Sequence, residues 1–157
     1  MKQVEMNKDI KLSEHFTLGE FCKTSHKTAD GNIPSRVVIE NLRNLCENWL
    51  EDLRYSYNTL YPDDKPIIIT SGYRSPEVNR LAGGSATSNH LTGCAVDIHV
   101  SGFEQAIRYA SILLDISDGT KQDFDELYIE RNKAGSHWIH FAVRPTGNRR
   151  KTDFLKV

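Results

Sequence analysis

Asp97 lies inside the alternating run Cys94-Ala95-Val96-Asp97-Ile98-His99-Val100, and that single carboxylate constrains the chain more than any other residue. The alternation is that of a β-strand, with Val96, Ile98 and Val100 on a packing face and Ala95, Asp97 and His99 on the other. Aspartate is depleted from strands and costly to bury without a partner, so Asp97 requires one. A bound cation would provide it. His90 precedes Asp97 by seven positions across a turn containing Gly93, which lets a loop imidazole and a strand carboxylate approach one point.

A second imidazole, His140, falls in the run Trp138 to Val143, framed by Trp138 and Phe141. Two imidazoles and one carboxylate are borderline ligands of the kind that suits zinc. With only three protein ligands, the fourth tetrahedral position stays open for water, which is the stoichiometry of a catalytic site rather than a structural one.

The surrounding sequence fits a single domain over residues 1–157. No internal repeat, low-complexity tract or long linker divides it. A chain of 157 residues buries a core without metal or disulfide staples. Its three cysteines, Cys22, Cys46 and Cys94, are widely spaced and read as buried small apolar residues. The 21 acidic and 20 basic residues nearly cancel, so no global field draws the protein to nucleic acid or an anionic membrane. The segment Met1 to Phe16 has no uninterrupted apolar core of a secretion signal, and no later run could span a bilayer. Synthesis in the cytoplasm and a monomeric state are expected.

Residues 34–61 read as the longest helix, opened by Pro34, with Val38, Leu42, Leu45, Trp49 and Leu53 at helical spacing. A turn at Pro62-Asp63-Asp64 leads to a short buried strand, Ile67 to Thr70. Ser75-Pro76-Glu77 caps a helix ending near Leu81, and Gly83 to Ser88 form a loop. Phe103 to Leu114 reads as another helix, followed by strands Asp125 to Glu130 and Trp138 to Val143, with Gly135 between them. This order predicts an α+β fold, helices packed on a mainly antiparallel β-sheet.

The run Ser88-Asn89-His90-Leu91-Thr92-Gly93-Cys94-Ala95-Val96-Asp97 resembles the S-x-H-x-x-G-x-A-x-D signature of the M15 family of zinc peptidases, and Trp138-Ile139-His140 resembles its W-x-H segment. Upstream, Ser71-Gly72-Tyr73-Arg74-Ser75 is similar to the family's S-G-Y-R-S element, and Phe16-Thr17-Leu18-Gly19-Glu20-Phe21 to the start of its phage-type, lysin-like subgroup. The resemblance implies zinc on His90, Asp97 and His140 in a fold related to that of the hedgehog signalling domain. It also implies a D-Ala-D-Ala carboxypeptidase or peptidoglycan endopeptidase acting on the cell wall. Zinc in such a site lowers the pKa of bound water to about 7 and polarises the scissile carbonyl.

Arg74 is the candidate for holding a substrate carboxylate with its planar fork, the alternative being a surface salt bridge. Ser88 either hydrogen-bonds substrate or stabilises its turn. Several family members carry an acidic general base three residues before the last histidine ligand, where this chain has His137. Glu130 is the expected base, with His137 as the alternative. It ends the alternating run Glu126 to Glu130, and a hairpin pairing Glu130 with Trp138 would set Tyr128 opposite His140 with Glu130 diagonal to it. His137, one pleat out of phase, would then point away. His99 is either a partner of the site or a solvated histidine, and Arg149-Arg150-Lys151 read as solvated tail charges. Two other functions stand beside the peptidase: a catalytically silent zinc-containing recognition domain for a cell-wall or protein partner, and a metal-free binding module.

Overall fold

The computed structural model describes residues 7–62 and 64–157; Met1–Met6 of the amino-terminal segment and Asp63 of the expected turn lie outside them. The chain begins with a small hairpin, β1 (Lys11–Ser13) and β2 (Phe16–Thr17), which runs into the short helix α1 (Leu18–Cys22). Thr17 and Glu20 form a capping box at its start, satisfying backbone donors that the first turn leaves free. None of these three elements was legible in the periodicity, because each is shorter than the window over which a pattern repeats.

The long apolar stripe forms a helix, as its spacing predicts. It opens at Arg36 rather than Pro34, because Ser35 is the cap: its hydroxyl accepts from the Val38 amide at 3.3 Å. It continues as α2 (Arg36–Leu45), one π-helical turn (Cys46–Leu50) and α3 (Glu51–Leu60). The wider turn lets Leu45, Cys46, Trp49, Leu50 and Leu53 all reach the core. Trp49 packs there against Phe124 and Phe141, with ring centroids 6.5 and 5.1 Å away.

Five strands form one sheet in the order β3 (Ile69–Ser71), β4 (Ala95–His99), β6 (His137–Ala142), β5 (Glu126–Arg131) and β7 (Lys151–Lys156). All pairs are antiparallel except β5 with β7. The architecture is therefore α+β with a mainly antiparallel sheet. β3 starts two residues later than the apolar run suggests, although Ile67 is buried and the Ile68 carbonyl still accepts from the His99 amide at 2.8 Å. α4 (Pro76–Leu81) is capped by Ser75. α5 (Phe103–Thr120) runs two turns beyond Leu114, since Asp115, Ser117, Asp118 and Gly119 weaken the pattern without breaking the helix, and it stops at Lys121 in the left-handed conformation.

β7 corrects the expectation of a solvated tail. Lys151-Thr152-Asp153-Phe154-Leu155-Lys156 is an edge strand, charged at both ends, which hides its β character. Its pairing draws Arg149 and Arg150 against the body of the protein, where Arg149 meets Asp125 at 2.8 Å and Arg150 meets Asp118 at 2.7 Å.

The sheet has two chemically distinct faces. Val96, Ile98, Leu127, Ile139 and Phe141 belong to the core with the long helix and α5. Asp97, His140 and Tyr128 stand opposite one another across β4, β6 and β5 on the other face. The three free cysteines are buried, as expected of small apolar residues.

Candidate metal centre

Asp97 and His140 are direct cross-strand partners, so the pleat alone brings them together. His90 arrives from a 3₁₀ turn, Asn89–Thr92, whose cap is Ser88 and whose end is Gly93. Gly93 has φ 72°, and a Cβ there would lie 2.7 Å from the Val38 carbonyl oxygen, so only glycine lets the chain turn into β4 at this point. On the other side, Gly72 packs so tightly on Phe21 that a Cβ would lie 2.5 Å from its carbonyl oxygen. That close approach positions the Gly72 carbonyl 2.6 Å from Nδ1 of His90.

His90 Nε2 lies 3.4 Å and His140 Nδ1 3.1 Å from Asp97 Oδ1. The three side chains are 4%, 12% and 12% exposed, and their ligand atoms all fall within 4.8 Å of one another. Each imidazole is held by its other nitrogen: His90 Nδ1 donates to the Gly72 carbonyl, and His140 Nε2 donates to Glu126 Oε1 at 3.1 Å. An acceptor behind each ring commits the outer N–H, so that in the neutral imidazole the inward nitrogen, which faces Asp97, is the one able to give a lone pair to a cation, as in metal-binding histidines.

The electrostatics point the same way. Burial disfavours charge on Asp97, but His90 and the hydrogen bonds from both imidazoles hold its carboxyl well below the usual carboxylate range. Burial also disfavours charge on His140, yet hydrogen bonds to Asp97 and Glu126 push it up to about 9. The carboxylates thus make this point favourable for positive charge. Together with two oriented imidazoles, they form a donor set that can hold a metal ion of the zinc type.

The centre opens into a cleft of about 550 Å³. Arg74, Ser88 and Glu130 all line it. Arg74 is held from behind, its Nε donating to Ser71 Oγ at 3.2 Å and one terminal nitrogen lying 3.5 Å from Asp97 Oδ2. The Ser88 hydroxyl accepts from the His90 amide at 3.2 Å, so it stabilises the turn that presents His90. Glu130 pairs with Trp138, and Tyr128 with His140, which is the register that the placing of Glu130 beside His140 required. The Trp138 indole donates to Glu130 Oε2 at 2.6 Å. Burial raises the Glu130 pKa, against the opposing pull of His140.

His137 is not brought to this cleft. It points to the opposite face of β6, its ring centroid 5.3 Å from that of Phe103 and 6.4 Å from that of Phe154. His99 is exposed and lies outside the cleft, in a separate cavity with Tyr57 and Gln105. Among the cleft residues to which the sequence reading gave no role in the site are Glu126, Asn89, Arg144 and Arg149. Glu126 shares the alternation that singled out Glu130, so its face was legible. The arginines were not, since nothing local marks the chain as returning alongside β5.

No curated protein matches the chain at a significant level. The sequence profile described as Peptidase M15 matches residues 14–135, a span that contains Arg74, Ser88, His90, Asp97 and Glu130 and ends before His140. Geometry supplies what lies beyond that span, since β6 places His140 directly across from Asp97. That match spans most of the chain, so the chain belongs to the peptidase M15 family and has a metallopeptidase-type function, with three residues that could hold a metal ion meeting at one buried point.

Proposed function

We propose that this protein is a zinc peptidase that hydrolyses an amide bond in peptidoglycan stem peptides or cross-links, as a carboxypeptidase or endopeptidase. The observation that carries the reading is the convergence of His90, Asp97 and His140 at the floor of a cleft that Glu130 also lines. Membership of the M15 family supports a peptide substrate, and the motif resemblance points to the cell wall, reached by release on lysis or by export.

His90, Asp97 and His140 would hold the ion. When bound, zinc supplies a Lewis acid that makes water nucleophilic near neutral pH and polarises a carbonyl. Glu130 takes the proton of the attacking water. Because burial raises its pKa, the protonated carboxyl can hand that proton to the departing amine. The Trp138 indole fixes one Glu130 oxygen and leaves the other for this exchange. Arg74, braced by Ser71 and Asp97, presents its guanidinium to a substrate carboxylate.

The test is mass spectrometry of purified peptidoglycan fragments incubated with zinc-loaded protein, and in parallel with His140→Ala and Glu130→Gln. New peptide termini are expected from the wild type alone, and their positions identify the bond. Unchanged fragments in every sample, with zinc bound stoichiometrically to the wild type, would replace the peptidase by a silent zinc-containing recognition domain.

A further inference from the structure

Glu126 is a nearly buried acid for which the proposed chemistry has no use, yet it is among the most heavily bonded groups in the cleft. Its Oε1 lies 3.1 Å from His140 Nε2 and accepts from Asn89 Nδ2 at 2.7 Å, while its Oε2 accepts from the Tyr128 hydroxyl at 3.1 Å. Tyr128 itself stacks on the His140 ring, with centroids 5.5 Å apart and planes only 16° from parallel. The imidazole is therefore held at its edge by Glu126 and on its face by a tyrosine that Glu126 also holds.

The anchoring continues outward. Asn89 also donates to Asp125 at 2.8 Å, and Asp125 takes a two-pronged contact from Arg149, at 2.9 Å to Nε and 2.8 Å to a terminal nitrogen. Because Asn89 immediately precedes His90, the segments that deliver the two imidazoles meet at Glu126. The supports of those imidazoles differ in kind: a neutral backbone carbonyl for His90, a carboxylate for His140. A charged acceptor behind an imidazole fixes the tautomer and also makes the opposite nitrogen a stronger electron donor.

We propose that Glu126 is a positioning residue for the metal centre: by accepting the Nε2 proton of His140 in a hydrogen bond, it commits Nδ1 to face Asp97 and His90. The inference rests on the zinc reading of the site. It assigns Glu126 no contact with substrate and no part in proton transfer.

The experiment measures zinc affinity by competition with a chelating dye, and the visible spectrum of the cobalt(II) form, for the full chain and two variants. Glu126→Leu keeps side-chain bulk and removes the acceptor; Glu126→Gln keeps an acceptor oxygen and removes the charge. In folded protein, judged by circular dichroism, the leucine variant is expected to lose roughly 10- to 100-fold in zinc affinity and to shift the cobalt bands, with glutamine restoring most of both. A folded leucine variant with wild-type affinity and an unchanged cobalt spectrum would overturn the positioning role and leave the zinc site standing. A wild type that binds neither metal would overturn the zinc reading and this inference with it.

Discussion

Asp97 is bonded on three sides, by His90, His140 and Arg74, and each contact has a different consequence. The imidazoles make it part of a floor that could hold a metal ion; the guanidinium ties that floor to the wall of the cleft. Because Glu130 stands apart from these contacts, chemistry and metal binding should separate by mutation. Glu130→Gln is expected to lower kcat by roughly 100- to 10,000-fold while leaving zinc affinity unchanged, measured by steady-state kinetics and metal titration. A parallel loss in His137→Ala would contradict its place between Phe103 and Phe154 on the far face. Arg74→Ala is expected to act mainly through KM, raising it for substrates that end in a free carboxylate and little for amidated ones. Asn32 supports this wall from below: its buried side chain donates to the Cys22 and Tyr73 carbonyls and accepts from the Ser75 amide, tying the Arg74 loop to the chain before it.

At the scale of elements, the site depends on turns that tolerate no extra atoms. Gly93→Ala would force a Cβ against the Val38 carbonyl in a backbone conformation that L-residues avoid. The expected loss is about 2 kcal/mol, read from urea denaturation, with weakened metal binding because the same turn presents His90. The π-helical turn has the opposite character, since its extra residue adds to the packing. Trp49, 1% exposed and set against Phe124 and Phe141, is held by it, and Trp49→Ala is expected to cost about 3–5 kcal/mol. The alternation of β5 and β6 explains how their faces were legible: with a period of two, a one-residue slip would turn Ile139 and Phe141 out of the core. β7 had no such pattern to expose it, because an edge strand with four exposed residues in succession resembles a loop.

For the whole molecule, one contribution to the acidic side of the stability profile lies where the chain's end meets β5. Asp125 is fully buried in the pairs it makes with Arg144 and Arg149. Burial opposes its charge, yet hydrogen bonds from Arg149 and Asn89 bring its pKa down to about 2, from 3.8. The folded state therefore holds this proton less tightly than the unfolded one. The stabilisation, about 2 kcal/mol, is present above pH 3.8 and is lost as the pH falls through about 2. Thermal melts across that window should show the decline, and Arg149→Ala should flatten it. Metal acts on the same equilibrium from the other end. Zinc at about 100 times its dissociation constant is expected to add about 2.7 kcal/mol to folding, so a chelator should lower the wild-type Tm and leave His140→Ala unmoved.

Sequence alone determined the α+β class, the faces of β4, β5 and β6, and the approach of His90 to Asp97; His140 stood beside them by residue type and family resemblance, and the pairing of β6 with β4 brings it to Asp97. The faces and the His90 approach are local properties: alternation assigns a residue to a face, and a glycine turn of fixed length brings His90 back to Asp97. Tertiary structure alone decided that Glu126 lies behind His140, that the Gly72 carbonyl orients His90, and that Arg149 reaches the cleft. Each of those contacts joins segments distant along the chain, at least fourteen residues apart in the case of Glu126 and His140. Strand order and side-chain approach at such separations follow from how the core packs, and no local period records them.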